Sequence, residues 1–267
     1  MGPLGVPSRR NVMALANVRY NTVRAWFSDM RELSLEHLPF VAIESTEELG
    51  NSTPQLVKKL GSTDFYPPLF QAAFGTPEVT ADRIGTAIAQ FLRSMLSYRT
   101  KFDHAYNPMF NGPGDPASVL TAQEYRGLQI FQGASGITCS NCHDIYGQTN
   151  VWQANNGLDA VPTDPGTLNR AFARGGFVGV FRAASLRNIA LTAPYMHDGR
   201  FATLREVIDH YDHGIAAGIN TDGLLEIGTV PGQMHLTEED KQALEAFLNT
   251  LTDTDMLSDP KFTDPFQ

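Results

Sequence analysis

The 267-residue sequence has two cysteines, no long apolar run and a deficit of basic residues. Two cysteines cannot form the disulfide framework of a small secreted scaffold. No stretch approaches the roughly 18 apolar residues of a membrane span. The first ten residues also lack the apolar segment of a secretory signal, so the chain is either cytoplasmic or has lost its true start. With 20 Lys and Arg against 29 Asp and Glu, the net charge of −9 argues against nucleic acid or an anionic membrane as a partner.

The two cysteines stand three residues apart, and a histidine follows the second directly. Cys139, Cys142 and His143 form the C-x-x-C-H pattern of c-type haem attachment. In such a site two thiols bind the vinyl groups of one haem, and the histidine is the proximal ligand of the iron. The alternatives are a redox C-x-x-C pair and half of a zinc site, which would need His210 and His213. The surrounding sequence has no βαβ pattern and favours haem c.

Helical patterns flank this motif on both sides. A helix is predicted over residues 120–131 with Thr121 as its N-cap, and another begins at Thr237, where acidic residues favour the first turn. Cytochrome c folds pack their first and last helices across each other. Residues 117–255 are therefore interpreted as a cytochrome c haem domain, and the predicted fold class is all-α.

The rest of the chain divides into three parts. Residues 1–112 are predicted to form an N-terminal helical region packed on the haem domain, with helices over 79–99 and 54–60. Residues 107–116 are predicted to be a turn-rich linker at the end of this region, and residues 256–267 a C-terminal tail. Residues 144–182, rich in Gly, Asn and Pro, are predicted to be a long loop over the haem with room for short strands.

Residues 181–207, FRAASLRNIALTAPYMHDGRFATLREV, resemble the C-terminal signature of the bacterial dihaem cytochrome c peroxidase and MauG family. Residues 10–17, RNVMALAN, are similar to the family's R-N-x-x-x-L-x-N segment, and residues 34–36 and 47–50 resemble the stretch that follows it. The resemblance covers nearly the whole chain. It implies a c-type haem peroxidase that reduces hydrogen peroxide or uses it to oxidise a partner. Two alternatives stay open, a monohaem electron-transfer cytochrome c and a non-enzymatic haem-binding chain.

One departure from the family is large. Its members carry two C-x-x-C-H motifs, the first ahead of the R-N-x-x-x-L-x-N segment, whereas this sequence has cysteines for one haem. The motif present resembles that of the electron-transfer haem. We therefore expect a fragment without its first haem segment and signal peptide, and a second haem only in the full-length protein. The resemblance also implies a periplasmic location and a small cytochrome or copper protein as electron donor.

The second axial ligand of the haem is implied by position. Tyr211 stands fourteen residues after His197, where classical peroxidases of the family have methionine and MauG-type enzymes have tyrosine. A phenolate ligand stabilises ferric iron, whereas a thioether raises the reduction potential. Met196, Met234 and His213 are the alternative ligands, and an open coordination position is another.

The resemblance implies roles for further residues. Trp26 corresponds to a tryptophan between the two haems, with electron transfer as its role and core packing as the alternative. Glu48 resembles the acidic residue that moves protons at the peroxidatic haem. Asn11, Thr192 and Pro194 match the positions that hold a calcium ion through oxygen ligands.

Three signature residues are expected to support the haem without acting as catalysts. His197 and Asp198 are interpreted as structural residues or neighbours of a haem propionate. Arg187 is expected to pair with a propionate, with a surface ion pair as the alternative.

Overall fold

The computed structural model describes residues 2–106 except 4 and 6, 114–145, 152–167, 178–218, 221–227, 230–231 and 233–264. Within these residues the α-helices are α1 (Leu38–Glu44), α2 (Thr53–Gly61), α3 (Tyr66–Phe74), α4 (Ala81–Ser94), α5 (Lys101–Tyr106), α6 (Ala122–Gln129), α7 (Leu204–Asp209), α8 (Glu238–Asn249) and α9 (Thr254–Ser258). Across the described ranges, none of the helices combines the length and apolarity needed to cross a membrane.

The strands are short and confirm the all-α class. β1 (Gln153–Ala154) pairs with β2 (Phe181–Arg182) in an antiparallel ladder that places Ala154 opposite Phe181. β3 (Glu226–Ile227) and β4 (Val230–Pro231) form a second antiparallel pair. Each pair is two residues long, so the strands fasten loops and form no layer of their own.

The N-terminal helices follow their caps and their prolines. Thr80 caps α4 by accepting a hydrogen bond from the Arg83 N–H at 3.3 Å. The helix ends at Ser94, earlier than the predicted 99, because Asn17 exchanges side-chain hydrogen bonds with the Ser97 backbone at 2.8 and 2.9 Å and holds that segment outside the helix. Helices α1 and α3 were not predicted, because each contains proline, which usually interrupts a helix. In both helices the proline lies in the first turn, where it is compatible with helical structure.

The haem-domain helices α6 and α8 cross in contact, as predicted. Thr121 and Glu124 form a capping box at the start of α6. A Cβ placed on Gly127 would lie 2.0 Å from the Ala243 carbonyl oxygen, so only glycine allows the two backbones to approach this closely. Phe247, which is fully buried, packs at the same crossing.

Three apolar clusters hold the fold. The largest surrounds the α6–α8 crossing, and it includes Phe102 of α5, whose ring meets that of Phe247 edge-on at 5.7 Å between centroids. Two smaller clusters lie in the N-terminal region, one around Trp26 and one around Phe40. The division at residue 112 stays a prediction, because the linker residues 107–113 lie outside the described part of the chain.

The described part of the long loop bridges the two regions. Arg10 donates two hydrogen bonds to the Asp164 carboxylate, at 2.7 and 2.6 Å. Arg182 of β2 donates to the Ala25 carbonyl at 2.9 Å through its side chain, and to the Ser28 carbonyl at 2.8 Å through its backbone. The loop and the N-terminal region thus pack together along one side of the haem domain.

Candidate haem site

A mainly apolar cavity of about 330 Å³ lies between the haem domain and the N-terminal region. Cys139, Cys142, His143 and Tyr211 all line it. The remaining wall is formed largely by apolar side chains, among them Phe131, Leu186, Ile208, Leu244, Met13 and Val18. The cavity therefore joins the predicted haem ligands to a water-excluding lining, as a cofactor pocket requires.

The proximal side of the site is one compact turn. The backbone N–H groups of Cys142 and His143 both donate to the Cys139 carbonyl, at 3.2 and 2.9 Å, and this turn brings the three motif residues to one wall. His143 Nδ1 lies 2.9 Å from the Ala184 carbonyl oxygen. A carbonyl only accepts, so Nδ1 carries the proton and Nε2 keeps the lone pair that a metal needs. Burial lowers the pKa of His143, which favours the neutral, ligating imidazole.

The thiols have the opposite character from redox cysteines. Burial raises the pKa of Cys139 to about 12 and that of Cys142 to about 11. A thioredoxin-type C-x-x-C pair needs a lowered thiol pKa, because the thiolate is the nucleophile. These neutral thiols beside an apolar pocket fit thioether formation with an apolar macrocycle edge.

Among the described residues, no further side chains suited to a zinc ion lie beside the C-x-x-C-H motif. His210 Nε2 is 3.0 Å from the Asn156 carbonyl oxygen, and His213 is exposed beside Asp212. No cluster of three His, Cys, Asp or Glu side chains suited to a metal ion occurs in the described ranges. The donor set at the cavity, one neutral imidazole and two thiols against apolar walls, fits a haem better than a zinc ion.

Tyr211 lies in the wide turn His210–Gly214, which continues α7. Burial raises the pKa of Tyr211 to about 12, and a hydrogen bond from the Asn156 side chain opposes part of that rise. The same amide is 3.3 Å from Met196 Sδ. Met196 and Met234 also line the cavity, whereas His213 does not. Asn156 was not predicted as a site residue, because the sequence of its loop has no periodic pattern from which a functional position could be identified.

Two of the three predicted calcium residues are in contact. The Asn11 side-chain amide donates to the Pro194 carbonyl at 2.5 Å, and the Asn11 backbone N–H donates to the His197 carbonyl at 2.7 Å. Thr192 lines the same cavity, and its hydroxyl donates to the Ile189 carbonyl at 3.2 Å. The structure thus joins Asn11 to Pro194 and places Thr192 in the lining of that cavity.

Trp26 and Glu48 lie away from the haem cavity. Trp26 is buried and packs in the N-terminal cluster that contains Val18, and Val18 itself lines the cavity. The Trp26 side chain borders a second, more polar cavity, and its indole N–H has no hydrogen-bond partner among the described residues. Glu48 lies in the turn after α1, its N–H donating to the Ser45 carbonyl at 3.1 Å, and it borders neither cavity.

Both expectations for Arg187, a haem propionate and a surface ion pair, are wrong. Its side chain is 5% exposed and pairs with the buried Asp103 of α5, and it does not line the cavity. Its neighbour Leu186 does line the cavity, so the chain directs successive side chains to opposite sides. His197 does line the cavity, with its ring stacked on Phe181 at 4.2 Å between centroids.

The remaining signature residue, Asp198, pairs with a neighbouring arginine. Its Oδ2 lies 2.7 Å from Arg200 Nη2, and that arginine also reaches Asp159 at 2.9 Å. Asp198 is not among the residues that line the cavity. This network fastens the signature to the long loop.

Comparison with known proteins gives a consistent result. A family model described as di-haem cytochrome c peroxidase matches residues 1–108. Methylamine utilization protein MauG of Methylorubrum extorquens is 31% identical over 255 residues, which cover 92% of this chain and 65% of that protein. Cytochrome c551 peroxidase of Nitrosomonas europaea is 27% identical over 253 residues, which cover 94% of this chain and 66% of that protein. The chain therefore spans slightly under two thirds of each relative's length.

The fold matches as well as the sequence. The crystal structure of a MauG-like protein associated with microbial copper homeostasis has a TM-score of 0.81 and 28% sequence identity, covering 100% of this chain and 82% of that chain. The match includes both the N-terminal region and the haem domain. On sequence and fold together, the chain is similar to the di-haem cytochrome c peroxidase and MauG proteins along nearly its whole length.

Proposed function

We propose that this chain is the electron-transfer part of a c-type haem peroxidase of the cytochrome c peroxidase and MauG type. It binds one haem c through Cys139 and Cys142, with His143 as the proximal ligand. The observation that carries the proposal is the His143 imidazole, whose Nδ1–H is held by the Ala184 carbonyl at 2.9 Å, leaving Nε2 to ligate. The bound haem supplies a one-electron redox centre for the reduction of hydrogen peroxide, or for its use in oxidising a partner protein.

The lining residues suit this role. Apolar side chains such as Leu244 and Leu248 keep water from the redox centre. A low local dielectric makes the charge of each axial ligand count strongly toward the reduction potential. Tyr211 is the proposed second axial ligand, because its side chain lines the cavity together with Cys139, Cys142 and His143. Its phenol would lose its proton on binding the iron, and the hydrogen bond from the Asn156 amide opposes part of the burial-driven rise in the Tyr211 pKa.

The Tyr211→Phe substitution is expected to remove the phenolate-to-iron absorption of the ferric protein and to raise its reduction potential. Optical and EPR spectra of the haem-loaded chain report the first effect, and spectropotentiometry reports the second. Tyr125→Phe is the matched control, because Tyr125 packs on the same core without lining the cavity. Unchanged spectra in Tyr211→Phe, with a change in Met234→Leu or Met196→Leu, would transfer the ligand role to that methionine.

Peroxide reactivity separates the proposed function from its alternative. The full-length, two-haem protein is mixed with hydrogen peroxide and a reduced small cytochrome, and donor oxidation is followed by stopped flow. Peroxidase activity predicts consumption of peroxide and two electrons per molecule, giving two waters with two protons from solvent. A haem that exchanges electrons with the donor but stays inert to peroxide favours the monohaem electron-transfer alternative.

Trp26 is proposed to relay electrons between this haem and a peroxide site beyond the N-terminal cluster. Val18 and Met13 belong both to the Trp26 cluster and to the wall of the haem cavity, so side-chain packing connects Trp26 to that wall. Trp26→Phe is expected to slow electron transfer in the two-haem protein without altering the spectrum of the haem at His143. An unchanged rate would leave Trp26 with packing alone.

Glu48 is proposed to move protons at that same peroxide site, which is the role that the family resemblance implies for it. Glu48→Gln in the two-haem protein is expected to slow peroxide cleavage while leaving donor oxidation of the His143 haem unchanged. An unchanged rate of peroxide cleavage in this variant would show that Glu48 has no role in proton transfer.

A calcium ion is proposed at Asn11, Thr192 and Pro194, with waters completing the shell. The support is that Asn11 contacts Pro194, that Thr192 lines the same cavity, and that amide, hydroxyl and carbonyl oxygens are the ligand types of a hard cation. Removal of calcium with a chelator is expected to alter the haem spectrum and lower the unfolding temperature. Identical spectra and stability before and after chelation would remove calcium from the proposal.

The proposed location is the periplasm, where haem c is attached, and the proposed donor is a small basic cytochrome or a copper protein. The net charge of −9 supports a basic partner. Electrostatic steering predicts that donor oxidation slows as ionic strength rises. A rate independent of salt would argue against that class of donor.

A further inference from the structure

A buried ion pair lies directly behind the proximal histidine. The side chains of Arg187 and Asp103 are 5% and 9% exposed, and Nη1 is 2.5 Å from Oδ2. The same carboxylate oxygen accepts from the Thr100 N–H at 3.0 Å and from the Thr100 hydroxyl at 2.8 Å. Both charges are thus paired and hydrogen-bonded, which a charge this deep in the protein requires.

The other end of the guanidinium reaches the haem-binding loop. Arg187 Nη2 donates to the Ile145 carbonyl at 3.2 Å, two residues beyond His143. Three residues before Arg187, the Ala184 carbonyl accepts from His143 Nδ1 at 2.9 Å. The segments 143–145 and 184–187 are therefore joined at both ends, once by the imidazole and once by the guanidinium. Asp103 anchors this ladder to α5.

We propose that Arg187, held by Asp103, is a positioning residue that sets the hydrogen bond of the proximal histidine. The inference rests on the proposed function, because it takes His143 as the ligand of a bound haem. A firm Nδ1–H bond to a carbonyl makes the imidazole a stronger donor to the metal and stabilises the ferric state. Loosening the 143–145 and 184–187 ladder weakens that bond and raises the reduction potential of the haem.

The geometry explains why arginine stands at this position. The planar fork of the guanidinium presents separate N–H groups to Asp103 and to Ile145 at once. A lysine ammonium in the same space would pair with the carboxylate while losing the fixed second direction toward the carbonyl. Charge neutralisation alone does not account for the contact with Ile145.

The first test is Arg187→Lys in the haem-loaded chain. The expected result is an upward shift in the midpoint potential, measured as a several-fold increase in the ferrous-to-ferric ratio at fixed solution potential, with an altered ferric EPR spectrum. The matched control is Arg126→Lys, because Arg126 makes a more exposed ion pair with Asp240 at 2.9 Å. The control is expected to leave both the potential and the EPR spectrum unchanged.

A second variant separates positioning from folding. Asp103→Leu combined with Arg187→Met replaces the pair by apolar side chains, an exchange that often preserves stability. With the ladder to Ile145 lost, the potential is still expected to rise in this folded double variant. A double variant with the wild-type potential and EPR spectrum would overturn the inference and leave the pair a purely structural role.

A measurement on the wild-type chain tests the proposed function separately from the role of Arg187. Mass spectrometry of the wild-type protein shows whether a haem is covalently attached. A chain without attached haem would overturn the proposed function, and this inference with it. Attached haem together with unshifted Arg187 variants would overturn this inference alone.

Discussion

Replacing both Cys139 and Cys142 by serine is expected to abolish covalent haem attachment completely. Serine is close to cysteine in size, but its hydroxyl cannot form the thioether. The measurement is the mass of the intact protein after acid–organic extraction, together with haem staining of a denaturing gel. The protein is expressed in cells that attach haem c, so that the absence of haem reports the chain and not the host.

The same double variant is expected to lose its cooperative fold. Without haem the apolar walls of the cavity lose the contacts that its occupant would make, and they are exposed to water. Domains are only marginally stable, so this loss is large enough to disturb the packing of the haem domain. Near-UV circular dichroism is expected to weaken while the far-UV signal persists, as in a compact state without fixed packing.

Ser140→Ala is the matched control, because it changes one of the two residues between the cysteines and leaves both thiols in place. This variant is expected to carry haem at the wild-type level and to unfold cooperatively. Retention of extraction-resistant haem in the double serine variant would show that the attachment does not use this motif.

Gly127→Ala is expected to destabilise the haem domain by about 1–3 kcal/mol or more. The added Cβ would lie 2.0 Å from the Ala243 carbonyl oxygen, so α6 and α8 must move apart. Because the contacted atom belongs to the backbone, no rotamer change relieves the overlap. Separation of the helices also loosens the packing around the fully buried Phe247. Urea unfolding of the haem-loaded protein measures the loss.

Gly223→Ala provides the comparison, since a Cβ at Gly223 meets nothing within 4 Å. This substitution is expected to change stability by less than about 0.5 kcal/mol, as at other open surface positions. Equal urea unfolding curves for the two variants would mean that α6 and α8 can move apart with no loss of stability, contrary to the packing described above.

The parts of this protein that the sequence predicts well are those with local chemical causes. The spacing of Cys139, Cys142 and His143 is dictated by one haem, so it is visible without a fold. The caps Thr121 and Thr237 bind N–H groups only three residues away, so α6 and α8 begin where the sequence predicts. The long signature at 181–207 likewise indicated the family that the chain resembles before any geometry was known.

Helix ends and missed helices show where local signals run out. The last predicted turn of α4 is lost to Asn17, a residue about eighty positions away that no helical pattern includes. α1 and α3 are short, and their prolines suggest interruption unless the chain path places them in a first turn. A contact with a distant residue decides where α4 ends, and the path of the chain decides whether the prolines of α1 and α3 fall in a first turn.

The amino-acid sequence alone determined the cofactor class, the all-α fold and the crossing helices, because spacing, caps and apolar periodicity are properties of neighbouring residues. Only the tertiary structure decided what surrounds the proximal histidine. The partner of His143 is the Ala184 backbone carbonyl, and every residue type carries such a group. Arg187 faces Asp103 and not the cavity, because the chain turns its side chain toward α5. Such contacts depend on where distant segments meet, which no local pattern records.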